Sequence, residues 1–185
     1  SAVRVINGQV GKWLVDRGIS ESKIKLVPAF YIDLEIFKPM NLEKKYDMIF
    51  VGRRARNKGI ELFEKAGRDL KTLIVDGWAR DSHDVAQLIN QSRILVMPSY
   101  NEGGPRVVLE ALACNVPVLA TPVGIVPEVL PKEWIIDWSV DDIVAKARRI
   151  LENPPMTNLR AIAEPFEKKA AIKNYAEEII KVIHF

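Results

Sequence analysis

Six short apolar runs stand out along the chain: Ile24 to Val27, Met48 to Val51, Thr72 to Val75, Ile94 to Met97, Val116 to Ala120 and Trp134 to Ile136. Most lack the polar alternation of a half-exposed strand, which predicts strands covered on both faces. Other stretches carry helical spacing instead: Ile60 to Ala66, Val85 to Ser92, Val107 to Ala113 and Val140 to Leu151. Strand, helix, strand in repetition requires crossover connections, which are right-handed and join parallel strands. The pattern predicts a doubly wound α/β domain built on a parallel sheet.

Punctuation supports these elements. Ser139 followed by Asp142 has the spacing of a capping box for the Val140 helix, and Asn153-Pro154-Pro155 closes it. Pro105 follows Gly103-Gly104 and falls where a first-turn proline is tolerated. The tail reads as two helical pieces divided by Pro165. In the second, Phe166, Ala170, Tyr175, Ile179, Val182 and Ile183 form an apolar side, to be packed on this domain or a neighbouring one.

Composition narrows the function classes. At 185 residues, 48% hydrophobic and 28% charged, the chain is long enough for one domain with a real core. Cys114 is the single cysteine, and His83 and His184 are the two histidines. Disulfide frameworks, Cys/His zinc sites and haem attachment have too few ligands, and neither histidine has the context of a catalytic triad. Cys114 is expected to be a small buried hydrophobe, and the histidines surface residues. The 27 Lys and Arg against 24 Asp and Glu, a net charge of +3, are too evenly mixed for a dedicated nucleic-acid binder. The apolar stretch Val107 to Leu130 is broken by Glu110, Asn115, Pro117, Pro122, Pro127 and Glu128, so it does not span a membrane. No secretory leader is read, and a soluble cytoplasmic domain is expected.

Ligands of such sheets bind beyond the carboxyl ends of the strands, so the informative residues follow each strand. After the Met48 strand comes Gly52-Arg53-Arg54-Ala55-Arg56-Asn57-Lys58-Gly59, four cations leading into a helix. Cations beside the free N–H groups of a helix start favour a phosphate. Taken alone, a basic loop is more often a solvated face. Neither a P-loop nor a Gly-x-Gly-x-x-Gly fingerprint is present. After the Ile94 strand comes Pro98-Ser99-Tyr100-Asn101-Glu102-Gly103-Gly104-Pro105-Arg106-Val107, with Glu110 further into the helix. Its glycines let backbone N–H groups approach a ligand. Eight helical residues would span about 12 Å, beyond the roughly 5 to 9.5 Å of a glycoside hydrolase pair. Glu102 and Glu110 more naturally hold different parts of one elongated ligand, a carboxylate being a good acceptor for vicinal hydroxyls.

These residues resemble the donor-binding half of GT-B glycosyltransferases, specifically the large retaining family four. The resemblance rests on Gly52-Arg53 with Lys58-Gly59, Glu102-Gly103-Gly104-Pro105, Glu110-Ala111-Leu112-Ala113, Val116-Pro117-Val118 and Thr121-x-x-Gly124 in that order. It implies a Rossmann-like C-terminal domain over the whole chain, with a hinge-proximal segment (1–40), a core (41–165) and a C-terminal helix (166–185). It further implies that Arg53 and Lys58 hold the diphosphate of a nucleoside-diphosphate sugar, which is the substrate, with no cofactor or metal. Glu102 would contact the transferred sugar, Glu110 the ribose hydroxyls, and the Gly103, Gly104, Pro105, Arg106 and Val107 backbone the sugar and diphosphate, with Gly52 also among the substrate-binding residues. On that reading Glu102, Arg53 and Lys58 are the catalytic residues. The acceptor, a carbohydrate or lipid-linked glycan, would lie on an N-terminal domain, and the full-length enzyme would be cytoplasmic or peripheral to a membrane.

Three departures accompany the resemblance: Ile125 where the family has a second glycine after Gly124, Ala29-Phe30-Tyr31 where it has Asn-Gly-Val, and a single helix between Gly77 and Ile94. Trp78 is the aromatic residue nearest that shortened region, a rim or packing residue or a platform for base or sugar. A non-catalytic nucleotide-sugar-binding or regulatory module and a GT-B-like nucleotide-sugar epimerase remain alternatives. A nucleic-acid reader acting through Arg53, Arg54 and Arg56 is more distant.

Overall fold

The computed structural model describes residues 2–27, 31–76 and 81–183. Pro28, Ala29, Phe30, Gly77, Trp78, Ala79, Arg80 and His184 lie outside the described residues, as do the side chains of Val182 and Ile183. Two parallel sheets organise the rest. A small one pairs β1 (Val3–Val5) with β2 (Ile24–Leu26) across helix α1 (Gly8–Val15). The main one contains β3 (Tyr46–Val51), β4 (Thr72–Val75), β5 (Ser92–Met97) and β6 (Val118–Ala120) in the order β4-β3-β5-β6. From β3 the chain moves outward to β4, then crosses back to β5 and β6. The reversal between β3 and β5 is the switch point at which a doubly wound sheet opens a crevice.

Helices cover both faces of the main sheet. α2 (Ile60–Ala66) packs with α6 (Val140–Glu152), while α3 (Ser82–Asn90) and α7 (Arg160–Ala163) pack with α4 (Arg106–Ala113). Between these layers the strands are apolar on both sides: Ile94, Leu95 and Val96 are fully buried, as are Val118, Leu119 and Ala120. That is the uninterrupted apolar pattern expected of covered parallel strands. Cys114 closes α4 in the core, and burial pushes its thiol up to about 12.

Several expectations need correction. Trp134 to Ile136 is not a strand: Lys132–Trp134 is a 3-10 turn and Ile135 makes one bridge to Ala120. Val116 and Pro117 precede β6, and Ser92 opens β5 instead of ending α3. β1 and α1 were not foreseen. The expected capping box is half made: Ser139 Oγ accepts from the Asp142 N–H at 3.5 Å, but Asp142 accepts from the Asp137 N–H at 2.8 Å. His83 is exposed, as expected.

Pro165 sits in a 3-10 turn between α7 and α8 (Lys168–Ile183). The tail is anchored by a parallel bridge in which the Ile32 N–H donates to the Phe166 carbonyl and the Lys168 N–H to the Ile32 carbonyl. Further along α8, Tyr175 lies under the Arg4 guanidinium, 4.6 Å from the ring centroid, so the last helix returns to the small sheet. No helix among the described residues is long and apolar enough to cross a membrane.

Gly59 governs how the loop after β3 sits. Its φ is +67°, and a Cβ there would lie 2.0 Å from the Pro98 carbonyl oxygen. Left-handed geometry alone costs about 1–2 kcal/mol for a non-glycine residue, and the overlap with backbone adds to it. Gly59→Ala is expected to lower stability by more than about 2 kcal/mol, measured by urea unfolding.

Candidate donor-binding site

Parallel strands deliver their following loops to one edge, and the order β3-β5 makes two of those loops neighbours. Gly52 follows β3 with its N–H on the Val75 carbonyl, and the chain then forms a short 3-10 turn, Arg56–Lys58. The Tyr100 N–H donates to the Asn57 carbonyl at 2.9 Å, joining this loop to the one after β5. With Gly59 beneath Pro98, Lys58 is carried to Glu102: Nζ lies 2.5 Å from Oε1, and the two side chains are 21% and 16% exposed. Two motifs 44 residues apart thus meet in one largely buried ion pair.

The cations do not act as one cluster. Arg54 turns outward to Glu64 at 3.1 Å, an exposed pair of small energetic weight. Arg53 and Arg56 are exposed and take part in no ion pair among the described residues. The expected helix start beside the basic loop is also displaced: the 3-10 turn intervenes, and α2 has only seven residues. The helix that opens at the site is α4, whose N-cap position is Pro105 with no side-chain cap. Among the described residues, the N–H groups of Gly103, Gly104, Arg106 and Val107 have no backbone acceptor. Such free donors at a helix start suit an anion.

Glu110 faces the same end of α4. Its carboxylate is paired with Arg106 at 3.5 Å, and Arg106 also lies over the Tyr31 ring at 5.9 Å. Burial pushes the Glu110 carboxyl above the usual carboxylate range, and Arg106 draws it back only in part. A ligand that donates hydroxyl hydrogen bonds to this carboxylate offsets the cost of its burial.

Ser99, beside Pro98 just past the end of β5, is a site residue that the sequence pattern does not single out. It is 1% exposed, and its Oγ donates to Glu102 Oε1 at 2.9 Å. Its carbonyl in turn accepts from Thr121 Oγ1 at 2.5 Å and Trp138 Nε1 at 3.1 Å. Trp138 stacks on Tyr100 with the ring planes 6° apart. Ser99 therefore holds the Glu102 carboxylate from a peptide pinned on two sides. The spacing Ser-x-x-Glu was the available signal, but its partners Thr121 and Trp138 are remote in sequence.

Gly124 supports the loop from below, with φ +60° and a Cβ position 2.8 Å from the Gly103 carbonyl and 2.9 Å from that of Glu102. Ile125, in place of the family's second glycine, is buried in the core. Glu128 does not cap its own segment; its Oε1 accepts from the Gly8 N–H of α1 at 3.0 Å.

With this geometry in place, comparison with known proteins decides the family. The profile described as Glycosyl transferases group 1 matches residues 74–179, more than half of the chain. The chain belongs to this family. It is 29% identical over 132 residues to the O-antigen chain mannosyltransferase B of Escherichia coli, covering 68% of this chain and 32% of that protein. Sucrose-phosphate synthase from Thermosynechococcus elongatus superposes with a TM-score of 0.82 at 21% identity, covering 99% of this chain and 58% of that one. Alr3699/HepE of Anabaena, crystallised with UDP and glucose, superposes at 0.80 with 14% identity, covering 98% and 63%. The chain thus spans less than two thirds of each, and its fold is that of GT-B glycosyltransferases.

The raised Glu110 pKa fixes the sign of a pH effect. The folded state holds the proton more tightly than the unfolded one, so Glu110 costs stability as pH rises through and above the ordinary carboxylate range. Glu110→Gln is expected to unfold at a higher temperature than the parent at pH 7, with the difference closing as pH falls below that range. Thermal unfolding of both proteins across pH 3.5 to about 7 checks this.

Proposed function

We propose that this chain is the donor-binding part of a retaining glycosyltransferase, which takes a nucleoside-diphosphate sugar and passes the sugar to an acceptor carbohydrate or lipid-linked glycan. The observation that carries the reading is the meeting of Lys58 and Glu102 at the switch point, beside the open N-terminus of α4. The two charges neutralise each other across this contact. A donor substitutes for both halves of that contact, its diphosphate taking Lys58 and its sugar hydroxyls taking Glu102.

The chemistry follows from charge. When the bond between the anomeric carbon and the β-phosphate oxygen breaks, the sugar becomes oxocarbenium-like and the diphosphate gains negative charge. Lys58, Arg53 and the α4 donors stabilise that charge more in the transition state than in the ground state, and removing one such donor costs about 3 to 4 kcal/mol of barrier. These cations carry the charge in this reading without a metal. Glu110 takes the ribose hydroxyls. The UDP and glucose bound by Alr3699/HepE support a nucleoside-diphosphate sugar as the ligand class.

An N-terminal domain holds the acceptor in this proposal. Two features support it: the share of its relatives that the chain covers, and the β1-α1-β2 unit, which has a sheet of two strands and exposed apolar residues at Leu26 of β2 (53%) and Trp13 of α1 (52%). A two-stranded parallel sheet is marginal without neighbours. The chain alone is therefore expected to bind donor and transfer nothing.

Calorimetric titration with UDP, GDP and ADP, their sugar conjugates and the free nucleosides tests the reading. One base series is expected to bind. Lys58→Ala is expected to weaken the diphosphate by about ten- to a hundredfold, in line with about 1.5 to 3 kcal/mol for a charge-assisted bond, and the nucleoside by less than about twofold. Equal losses for diphosphate and nucleoside remove the role of Lys58, and no binding in any series removes the donor reading.

A further inference from the structure

Asn7, between β1 and α1, is a buried polar residue that the reading above leaves without a task; it is 3% exposed. Its amide is used at both ends. Oδ1 accepts from the Val10 N–H at 2.9 Å and caps α1, while Nδ2 donates to the Gly103 carbonyl at 3.0 Å, 96 residues away. Beside it, Ile6 Cδ1 lies 3.0 Å from where a Cβ at Gly103 would stand. The next residue, Gly8, donates its N–H to Glu128 Oε1 at 3.0 Å; Glu128 belongs to α5 (Val126–Val129), which follows directly on the Gly124 turn. Gly124 in turn abuts the Gly103 and Glu102 carbonyls.

The Glu102 and Gly103 carbonyls thus lie against the Gly124 turn, and the start of α1 is bonded both to the Gly103 carbonyl, through Asn7, and to α5, through the Gly8 N–H. We propose that Asn7 is a positioning residue that couples the β1-α1-β2 unit to the donor loop. A movement of that unit is transmitted through the Asn7 amide to the Gly103 carbonyl, and so to the neighbouring Glu102. The chemistry requires a side chain that caps a helix and donates at the same time. Serine and aspartate cap as well, but aspartate has no donor, and serine has one oxygen close to the backbone where asparagine has separate Oδ1 and Nδ2 atoms for the two bonds. The inference rests on the donor reading for its ligand and on the Asn7 geometry for its residue.

The test separates the cap from the strut. Asn7→Ser keeps an oxygen for α1 and loses the bond to Gly103; Asn7→Ala loses both. In the 185-residue chain, Asn7→Ser is expected to unfold within a few degrees of the parent. The backbone order parameters of Gly103 and Gly104, measured by NMR relaxation, are expected to fall from the rigid range near 0.85 to below about 0.6. In calorimetry with the base series that the parent binds, affinity for the sugar nucleotide is expected to fall by about five- to tenfold and for the nucleoside diphosphate by less than about twofold, about 1 kcal/mol against a few tenths.

Rigid Gly103 and Gly104 in Asn7→Ser overturn the proposal, whatever the ligand results. So does a binding loss seen in Asn7→Ala but not in Asn7→Ser, which assigns Asn7 to capping alone. Equal losses for sugar nucleotide and diphosphate also overturn it. If the parent binds no nucleotide, the donor reading fails separately, and the order parameters still decide whether the strut exists.

Discussion

Parallel strands send every crossover to the same edge of the sheet, and that constraint sets everything else in this domain. Because β3 and β5 are adjacent while the chain leaves them in opposite directions, their following loops cannot fill the space between them. The loops instead line it. The crevice is a topological consequence, and the side chains that occupy it need only be placed within a few residues of a strand end. Lys58 and Glu102 are so placed, and the close approach of Gly59 to Pro98 brings the two loops into register.

Partial burial then determines how each charge behaves. Glu102 is supplied with two donors, Lys58 and Ser99, from different loops and from its own. Glu110, more deeply buried and paired among the described residues with Arg106, has a raised affinity for protons because of its desolvation. The two carboxylates on one loop and helix therefore stand in different environments, as suits groups that contact different parts of a single ligand. Arg53 and Arg56 belong to a third class, exposed and in no ion pair among the described residues.

The pattern of apolar runs was most legible where local preference and packing coincide, even on the partly buried edge strand β4. Thr72–Val75 and Ile60–Ala66 were read with their observed limits, since long-range packing there agrees with local preference. It failed where an element is short or borrowed. β1 is three residues long with two of them exposed, so Val3–Val5 has no strand signature of its own. Trp134 to Ile136 is apolar because it is buried against β6, not because it forms a full strand. Burial and strand formation leave the same mark on a run of three residues.

By itself the sequence determined the fold class and most of the candidate site, because both depend on local order: which residue types follow a strand, and whether apolar positions repeat at two, at 3.6 or without interruption. Local order singled out the basic loop after β3 and the glutamates Glu102 and Glu110 after β5, and the resemblance to the family picked Gly52, Arg53 and Lys58 from that loop. Only the tertiary structure decided which of them touch. It paired Lys58 with Glu102 and Arg54 with Glu64. It also gave Ser99 and Asn7 partners 22 to 96 residues distant. Contacts across such separations depend on strand order and on the close approach of individual glycines, which no local pattern encodes.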